Sequence, residues 1–546
     1  MGLPLTNHTE FTTNRVLRLE TATNVGIRNH PTQMAGTIAA SGQHAASRGI
    51  TYEAKVLAFD LAQDTSEMSG MAATNGLRIS NHSYGKDTHG WFRAGNEAAW
   101  FGDFYFSTNS ANPFEDHKFG TYGRYAYDQD DIAYQRQTYL PVRAVGNDRD
   151  DSFPNSSMTL LVRSNGAVFV EMVGNTQSSF ADGDDAGFDT ITTWAVGKNV
   201  LSVGAVRADY PGSTTAFSGF GPTDDGRIKP DLMAVGQFLA TTTDDYGYTS
   251  GEGTSGASAS VAGILAQMLQ HYRTLYGTNR EPLASTLKGL LLHTATDIVT
   301  QGPDYQSGWG LVNASAAAEL LTANTNFGSH PHLKEVWLEN GGSIEFPITV
   351  TNAGLLKITA CWTDPVGSYY TGLDLANSAL VNDIDVRVYS PDGTTNFPWI
   401  LNPDLSGKTS AARSQAAGKG DNFRDNVEQV SLTGPTNGTY LVRVTNKGTL
   451  QQPGSSTPQQ AVSLFLTGNQ PEATPELRLQ TLINTNGNVL VSFPSVVGQR
   501  YRMEFKNDLN VTNWTAYGDV VAARTNVTIS VSPTNDARFF RLKTLD

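Results

Sequence analysis

The pattern of apolar residues changes near residue 325, and this change limits the possible folds more than any other feature. Before it, short apolar segments alternate with helical stretches, which predicts an α/β fold with a mostly parallel sheet and helices on both faces. After it, short alternating segments separated by Gly, Pro, Asn and Asp predict β structure. A chain of 546 residues is too long for one hydrophobic core. We therefore expect three domains, over 1–325, 326–470 and 471–546.

Four strands are predicted in the first domain. They are AKVLAFD (54–60), NGLRISNHSYG (75–85), LPVRAVGN (140–147) and NVLSVGAV (199–206). The second ends at Gly and the third at Asn, and the carboxyl ends of strands are where sites gather in open parallel sheets.

The second domain is predicted to be a β-sandwich of the jelly-roll type. Its strands are SIEFPITVT, LLKITACWT, DIDVRVYSP, TYLVRVTN and AVSLFLTG. A polar linker, NQPEATPE (469–476), leads to a small β unit with Trp514 and the pair Phe539 and Phe540 expected in its core. This unit has no catalytic pattern, so surface binding, polymer binding and sorting all stay open as its role.

Residues 251–263 read GEGTSGASASVAG, a run of small residues that turns into an apolar stretch. Apolar residues from Val261 to Leu275 fall at helical spacing, and Gly277 is the expected stop. Ser255 thus lies at the start of a long buried helix, where by itself it would be an ordinary turn or N-cap residue. A second helix is expected over 284–295.

Two other polar residues occupy comparable places. His30 precedes the small residues of NHPTQMAGTIAASG (29–42), and Asn147 follows a strand in AVGND (144–148). Alone, the first would be a surface or hydrogen-bonded core histidine and the second a turn residue. Together with Ser255, in the order His, Asn, Ser, they define a much narrower pattern.

This pattern resembles the subtilisin-like serine peptidases over roughly residues 1–323. The family's serine block, G-T-S-x-A-x-P-x-V-A-G, is matched by Gly253, Thr254, Ser255, Ala257, Val261, Ala262 and Gly263. Its histidine block, H-G-T-H-V-A-G, is matched by His30, Thr32, Ala35 and Gly36, and its oxyanion block, A-x-G-N, by Ala144, Gly146 and Asn147. The segments FSGFGPTDDGRIKPDLMAVG (217–236) and GWGLVNA (308–314) are similar to further motifs. Departures from the family pattern are Pro31, Gln33 and Ala259.

The resemblance implies roles for these residues. Ser255 would attack a peptide carbonyl, His30 would carry its proton, and Asn147 with backbone N–H groups would bind the oxyanion. Substrate would lie as an extended strand along the segments Ser83-Tyr84-Gly85 and Ala144-Val145-Gly146.

The family's triad also needs an aspartate about thirty residues before the histidine, but only Glu10 and Glu20 precede His30. The segment GLPLTNHTEFTTNRVLRL resembles the residues after that aspartate in one branch of the family. We therefore expect the aspartate, the first strand, a propeptide and an export signal to lie upstream of Met1. Loss of the acid lowers kcat by on the order of 10⁴ in characterised triads, subtilisin among them.

Oxygen-bearing side chains also suggest a structural calcium ion in the second domain, which resembles the jelly roll of alkaline bacterial relatives. Asp383, Asp385 and Asp421 are the candidate ligands, and Asn382, Asp425 and Asn426 lie near them in sequence. Ordinary turn roles are nearly as well supported for all six. No cofactor is expected for catalysis, and the acidic run DGDDAGFD (182–189) is expected to be a solvated loop.

Net charge, cysteine content and the length of apolar runs argue against three features of the protein. A net charge of −14 without a basic patch argues against nucleic acid, and Cys361 as the sole cysteine excludes an intrachain disulfide. No apolar run reaches the length of a membrane span. We expect a monomer that acts on protein or peptide substrates, secreted by or displayed on a bacterium. The alternative is a catalytically dead, peptidase-like binding or scaffold protein.

Overall fold

The computed structural model describes residues 2–11, 14–20, 26–74, 76–85, 91–94, 97–100, 117–150, 159–164, 168–173, 186–325, 331–370, 372, 374–469, 479–483, 489–495, 500–508, 510–522, 526–531 and 538–545. The α-helices in these residues are α1 (Asn29–Ala39), α2 (Asp64–Thr74), α3 (Arg124–Gln135), α4 (Thr254–Tyr276), α5 (Ala284–Thr294), α6 (Ala314–Thr325) and α7 (Ser410–Arg413).

The strands before residue 325 are β1 (Val16–Arg18), β2 (Val56–Ala58), β3 (Ile79–His82), β4 (Trp91–Ala94), β5 (Glu97–Trp100), β6 (Leu140–Ala144), β7 (Thr159–Ser164), β8 (Val168–Val173), β9 (Leu201–Arg207), β10 (Leu232–Thr242) and β11 (Tyr248–Glu252). Those after it are β12 (Leu333–Glu339), β13 (Ser343–Val350), β14 (Leu355–Cys361), β15 (Asp383–Tyr389), β16 (Thr395–Asn396), β17 (Trp399–Ile400), β18 (Gly418–Lys419), β19 (Val427–Thr433), β20 (Gly438–Lys447), β21 (Gln459–Thr467), β22 (Gln480–Ile483), β23 (Val489–Pro494), β24 (Arg500–Lys506), β25 (Thr515–Val521), β26 (Asn526–Val531) and β27 (Phe539–Leu545).

A five-stranded sheet in the order β11-β10-β9-β6-β3 forms the centre of the first part of the chain. Its strands run parallel except for β11, which pairs with β10 antiparallel. The predicted α/β fold is therefore confirmed. Strand β2 lies outside this sheet and pairs in parallel with β1.

Helix α4 packs against β10, β9, β6 and β3, and this position explains its composition. Ala257, Val261 and Leu265 are completely buried along it. Gly263 allows another segment to approach, because a Cβ there would lie 2.7 Å from Ile50 Cβ. Helix α1 packs on α4 and on β10. The starts of α1 and α4 are thus fixed by the same core.

The middle part of the chain forms a β-sandwich. Its two antiparallel sheets have the orders β12-β21-β14-β19 and β13-β20-β15-β16. One core joins them, with Ile358 and Leu464 from the first sheet and Val386 and Val442 from the second completely buried in it. This all-β architecture agrees with the prediction, while the jelly-roll assignment stays a prediction.

Residues 1–322 and 332–468 form one compact unit, so the sandwich and the α/β part pack together. Helix α5 lies on β14 and β21. Gly289 lets it approach closely, because a Cβ there would lie 2.5 Å from the Phe465 ring and 2.9 Å from Cys361 Cβ. Buried polar contacts add to this packing, including the ion pair of Lys198 with Asp364.

Residues 323–331 and 469–546 form a second compact unit. It contains the three-stranded sheets β22-β23-β26 and β25-β24-β27, and Phe493, Tyr501 and Met503 are buried in it. The expected core role of Phe539 is wrong, because this side chain is 37% exposed, while Trp514 and Phe540 are half-buried. The predicted linker lies outside the described residues after Asn469.

The acidic run DGDDAGFD (182–189) is partly described by the structure. Residues 182–185 of the acidic run lie outside the described residues, but its last residue, Asp189, is 4% exposed, so the prediction of a solvated loop is wrong there.

Among the helices described, none has the length and apolar character needed to cross a membrane.

Candidate active site

Ser255 is the second residue of α4, and the turn before it depends on glycine. Gly253 has φ of +136°, a backbone conformation that side-chain-bearing residues rarely adopt. Its N–H donates to the Gly236 carbonyl at 2.7 Å, which holds the turn against β10. The first N–H groups of a helix have no partner inside the helix and carry partial positive charge. Ser255 is half-buried, so its side chain is accessible at this positive end.

Ser83 holds Ser255 from the end of β3. The Ser83 hydroxyl donates to the Ser255 carbonyl at 3.0 Å, and the Ser255 hydroxyl donates to the Ser83 carbonyl at 3.3 Å. Ser83 also lies 2.8 Å from the hydroxyl of Ser258, one turn along α4. The nucleophile candidate is thus tied to the strand end that was predicted to bind substrate.

Asn147 is oriented by the residue before Ser255. Its Oδ1 accepts from the Thr254 N–H at 2.8 Å and from the Thr254 hydroxyl at 2.9 Å. The same hydroxyl accepts from the Gly146 N–H at 3.3 Å. Because both bonds fall on Oδ1, the Nδ2 amide is left to face the site. Thr254 matches the serine block of the family, but the motif alone did not predict a role for it.

Two hydrogen-bond donors border one small open space beside Ser255. A Cβ built on Gly253 would lie 3.5 Å from Asn147 Nδ2 and 3.8 Å from the Ser255 backbone nitrogen. Within the described residues, neither donor has an acceptor. A substrate oxygen that develops negative charge in this space would meet two N–H groups.

His30 lies in the first turn of α1. This helix is anchored to β10, where Thr242 Oγ1 donates to the Thr32 carbonyl at 2.8 Å and Thr241 Oγ1 donates to the Gln33 carbonyl at 2.7 Å. Although His30 is exposed, the protein atoms packed around its ring disfavour the charged form and lower the pKa of the imidazole. The structure shows no hydrogen bond between His30 and Ser255 in the described part of the chain.

Neither glutamate that precedes His30 supplies a carboxylate to it. Glu10 Oε1 and Oε2 accept from the loop N–H groups of His44 at 2.8 Å and Gly42 at 2.7 Å, respectively. Glu20 Oε2 accepts from the Asp60 N–H at 2.6 Å. No other acidic group in the described ranges forms an ion pair with His30. Within the part of the chain that the structure describes, the imidazole therefore has no carboxylate partner.

The two predicted substrate segments differ in their main-chain bonding. Strand β3 is at an edge of the described sheet, and the backbone groups of Tyr84 and Gly85 have no partners within the described residues. By contrast, the Val145 N–H donates to Val203 at 3.2 Å and the Val145 carbonyl accepts from Thr192 at 3.0 Å. The first segment can therefore accept a substrate strand, while Ala144, Val145 and Gly146 are better suited to form a wall of the cleft.

Arg143, at the base of this wall, is a buried residue that the sequence did not single out. It is completely buried, and its guanidinium carbon lies 4.9 Å from the centre of the Trp194 ring and 5.2 Å from that of Tyr84. Arg143 Nε donates to Gln129 Oε1 at 2.5 Å. The contact with Tyr84 joins Arg143 to the segment that was predicted to bind substrate. The sequence signal that could have identified Arg143 is a positive charge inside the otherwise apolar strand LPVRA.

The predicted calcium ligands do converge, but on cationic side chains. Lys447 Nζ lies 3.7 Å from Asp383 Oδ2 and 3.2 Å from Asp385 Oδ1, and it also pairs with Asp421. Arg387 pairs with Asp385 at 2.7 Å and with Asp421 at 2.5 Å. The two side chains provide the positive charge that an ion would provide, so this cluster does not fit calcium as it stands. Calcium there stays a prediction that requires Lys447 to move.

The neighbouring residues in that prediction serve as structural links. Asn382 Nδ2 donates to Gln460 at 2.8 Å, and Asn426 Nδ2 donates to the Trp362 carbonyl at 2.7 Å. Asp425 Oδ1 accepts from the Ile228 N–H at 2.8 Å. All three have polar partners within the protein, which explains their burial.

Comparisons with known proteins show the family to which the chain is similar. The model of a family described as the subtilase family matches residues 14–310. The chain is 30% identical over 216 residues to the Serine protease/ABC transporter B family protein tagA of Dictyostelium discoideum, covering 33% of this chain and 12% of that protein. It is 34% identical over 145 residues to C5a peptidase of Streptococcus pyogenes, covering 25% and 12%. To Subtilisin DY of Bacillus licheniformis it is 34% identical over 154 residues, covering 28% and 47%.

The chain thus spans less than half the length of each of these three relatives. Among solved structures, the Patellamide maturation protease PatA is similar with a TM-score of 0.38 and 18% identity, covering 59% of this chain and 94% of that one.

Proposed function

The chain belongs to the subtilase family, whose model spans more than half of it, and we propose that it is a serine endopeptidase with Ser255 as nucleophile. The observation that carries this proposal is the open space beside Gly253. There the Asn147 amide and the Ser255 N–H, neither with an acceptor in the described residues, border the same point. A binding protein has no need of two unsatisfied donors next to an accessible serine hydroxyl.

In the proposed reaction, Ser255 Oγ leaves the Ser83 carbonyl and attacks the carbonyl carbon of a peptide bond. His30 accepts the hydroxyl proton and returns it to the leaving amine. The lowered pKa keeps the imidazole neutral, and so able to accept a proton, at neutral pH. The tetrahedral oxyanion is held by Asn147 Nδ2 and the Ser255 N–H.

The acid of the triad is proposed to precede Met1. Glu10 and Glu20 are bonded elsewhere, and no carboxylate in the described ranges contacts His30. A carboxylate on the imidazole would fix its orientation and stabilise the imidazolium. Extension of the chain with its natural upstream sequence should then raise peptidase activity on the order of 10⁴-fold. Equal activity of the two forms would rule out this assignment.

The substrate is proposed to be an extended segment of a protein. It would add as a strand beside Tyr84 and Gly85, so main-chain bonds would supply affinity independently of sequence. We further propose, from the family resemblance, that the protein acts outside a bacterial cell. Its presence in culture medium or on the surface rather than in the cell lysate would test this.

A second candidate function is a catalytically dead, peptidase-like binding protein. The specific observation in its favour is the absence of an acid partner for His30 in the described residues. Such a protein would still bind extended peptides along β3, but its Ser255 would not be reactive.

A labelled fluorophosphonate distinguishes the two functions, because it reacts with activated serines. We expect covalent labelling that Ser255→Ala abolishes and His30→Ala lowers strongly. Ser250→Ala is the matched control, because Ser250 is an exposed serine on the neighbouring strand β11 and its removal should leave labelling intact. If the extended protein is not labelled at Ser255, the binding protein is favoured instead.

A further inference from the structure

Three aspartates outside the active site bring their carboxylates together. One oxygen each from Asp189, Asp224 and Asp374 lies within 4.8 Å of the other two. Asp189 and Asp224 are buried, at 4% and 6% exposure, and Asp374 is half-buried. They come from three separate segments of the same compact unit, so the fold and not local sequence assembles the cluster.

Asp224 has one oxygen that the protein does not satisfy. Its Oδ2 accepts from the Thr121 hydroxyl at 2.9 Å, and its N–H donates to the Gly120 carbonyl at 3.1 Å. Its Oδ1 is buried and has no hydrogen-bond partner in the described part of the chain. Burial and the nearby Asp374 raise the pKa of this carboxyl well above its ordinary value. A buried oxygen of this kind loses its hydration without compensation.

Gly120 shows where that oxygen points. A Cβ built on Gly120 would lie 2.2 Å from Asp224 Oδ1 and 2.2 Å from Asp189 Oδ1, so both oxygens face the same position. Gly120 also has φ of +69°, which favours glycine independently. The missing side chain leaves a space that two buried carboxylate oxygens border.

Among the described residues, the two cationic side chains recorded nearest to this cluster already pair with single carboxylates. Lys408 pairs with Asp374 Oδ2. Arg227 pairs with the adjacent Asp225 at 2.9 Å. The charge of the buried Asp224, which lies near Asp374, must therefore be balanced by a proton or by a bound cation. This cluster therefore differs from that of Asp383, Asp385 and Asp421, where two cationic side chains supply the balance.

We propose that Asp189, Asp224 and Asp374 bind a calcium ion beside Gly120. The donors are all hard carboxylate oxygens, and oxygens that surround Ca²⁺ at 2.3–2.6 Å lie up to about 5 Å apart. The ion joins two segments of the α/β part to the loop between β14 and β15. It also fixes the segment after Asp189, in which the Thr192 N–H donates to the Val145 carbonyl at 3.0 Å. Calcium thereby supports the wall of the active-site cleft.

Calcium titration of the EDTA-treated full chain tests the proposal without relying on peptidase activity. We expect Ca²⁺ to raise the melting temperature of the parent protein by several degrees and to bind with measurable heat. Asp224→Asn and Asp189→Asn keep the side-chain shape but remove a charged ligand. Each should weaken calcium binding roughly tenfold or more, at least as much as loss of an outer-shell partner does. In EDTA, Asp224→Asn should melt at or above the parent, because an uncompensated buried charge is gone.

Asp421→Asn is the control, because it alters the cluster that contains Lys447. We expect this variant to keep the full calcium response. The proposal is overturned if the parent shows no calcium-dependent shift, which would indicate that a shared proton balances the cluster. It is equally overturned if Asp421→Asn rather than Asp224→Asn abolishes the shift.

Discussion

Thr254 orients Asn147: the carboxamide oxygen of Asn147 accepts from both the backbone N–H of Thr254, at 2.8 Å, and its hydroxyl, at 2.9 Å. The residue before the proposed nucleophile thus sets which face of the amide points into the site. Because Thr254 is completely buried, this orientation is fixed by the core and does not depend on substrate. Such preorganised donors stabilise developing charge without reorganisation during the reaction.

Replacement of the Asn147 amide should lower kcat with little change in KM. Asn147→Asp keeps an oxygen for Thr254 but removes the Nδ2 donor, so it isolates the oxyanion role. We expect kcat for casein hydrolysis to fall on the order of 10²–10³, the magnitude found for loss of one such donor in the relative subtilisin. A melting temperature equal to that of the parent would exclude misfolding. A loss confined to KM would contradict the assignment.

Thr254→Val should reduce activity less and stability more. The variant loses the hydroxyl that binds Asn147 Oδ1 and accepts from the Gly146 N–H, but keeps the backbone bond to Asn147. We expect kcat to fall about tenfold and the free energy of unfolding to fall by about 1–3 kcal/mol. Thr254→Ser, which retains the hydroxyl, is the matched control and should restore most of both. Urea unfolding and steady-state kinetics measure the two effects.

Strong periodicity made much of the fold predictable. The helix after Ser255 begins at Thr254 and ends at Tyr276, next to the glycine expected to stop it, and the helix predicted over 284–295 is Ala284–Thr294. The prediction for Phe539 failed because strand alternation shows that one face is buried but does not show which face. Likewise, the acidic run that contains Asp189 predicted a solvated loop. The sequence could not show that the fold brings Asp224 and Asp374 close to Asp189.

Contacts in the candidate site were predictable where one motif contains both interacting residues. They were less predictable where the two residues are distant in sequence. Ser255 and Thr254 are adjacent, but the bond from Ser255 to the Ser83 carbonyl joins residues 172 positions apart. Composition likewise suggested calcium at Asp383, Asp385 and Asp421, since it could not show that Lys447 reaches all three. Contacts of this kind follow from tertiary packing, which a single sequence pattern does not contain.

Glu10 should make stability depend on acid pH. Burial would raise the pKa of this carboxyl, but N–H groups of Gly42 and His44 and the hydroxyls of Ser41 and Tyr248 outweigh it and lower the pKa to about 2. Because this value is below that of an unfolded glutamate, the stabilisation is complete above about pH 4.5 and is lost as pH falls towards 2. Glu10→Gln should therefore reduce the free energy of unfolding by about 2–3 kcal/mol at pH 7.

Urea unfolding of the parent and Glu10→Gln at several pH values checks this. The difference between them should shrink steadily below pH 4.5 and nearly vanish near pH 2. Glu252→Gln is the control, because Glu252 is an exposed residue of β11, and its effect on the free energy of unfolding should be small throughout. A Glu10→Gln difference that stays constant with pH would show that shape and not charge makes Glu10 stabilising.

The ion pair of Lys198 and Asp364 should couple the α/β part to the sandwich. Both side chains are completely buried, and Lys198 Nζ also donates to the carbonyls of Pro365 and Ala379, at 2.6 Å each. Lys198→Met leaves Asp364 as a buried charge without its cation, so we expect a loss of about 3–5 kcal/mol in the free energy of unfolding. Asp364→Leu should cost a similar amount, because it leaves the ammonium group without its anion.

The double variant Lys198→Met/Asp364→Leu should be more stable than the sum of the single losses predicts, since no buried charge then remains unpaired. Residues 1–322 and 332–468 should unfold in a single transition in all four proteins, because they form one compact unit. Trp194 of the α/β part and Trp362 of the sandwich are both buried, so their fluorescence, read in single-tryptophan variants, reports the two regions separately. Additive losses, or separate transitions at Trp194 and at Trp362 in the otherwise unchanged protein, would show that the pair does not couple the regions.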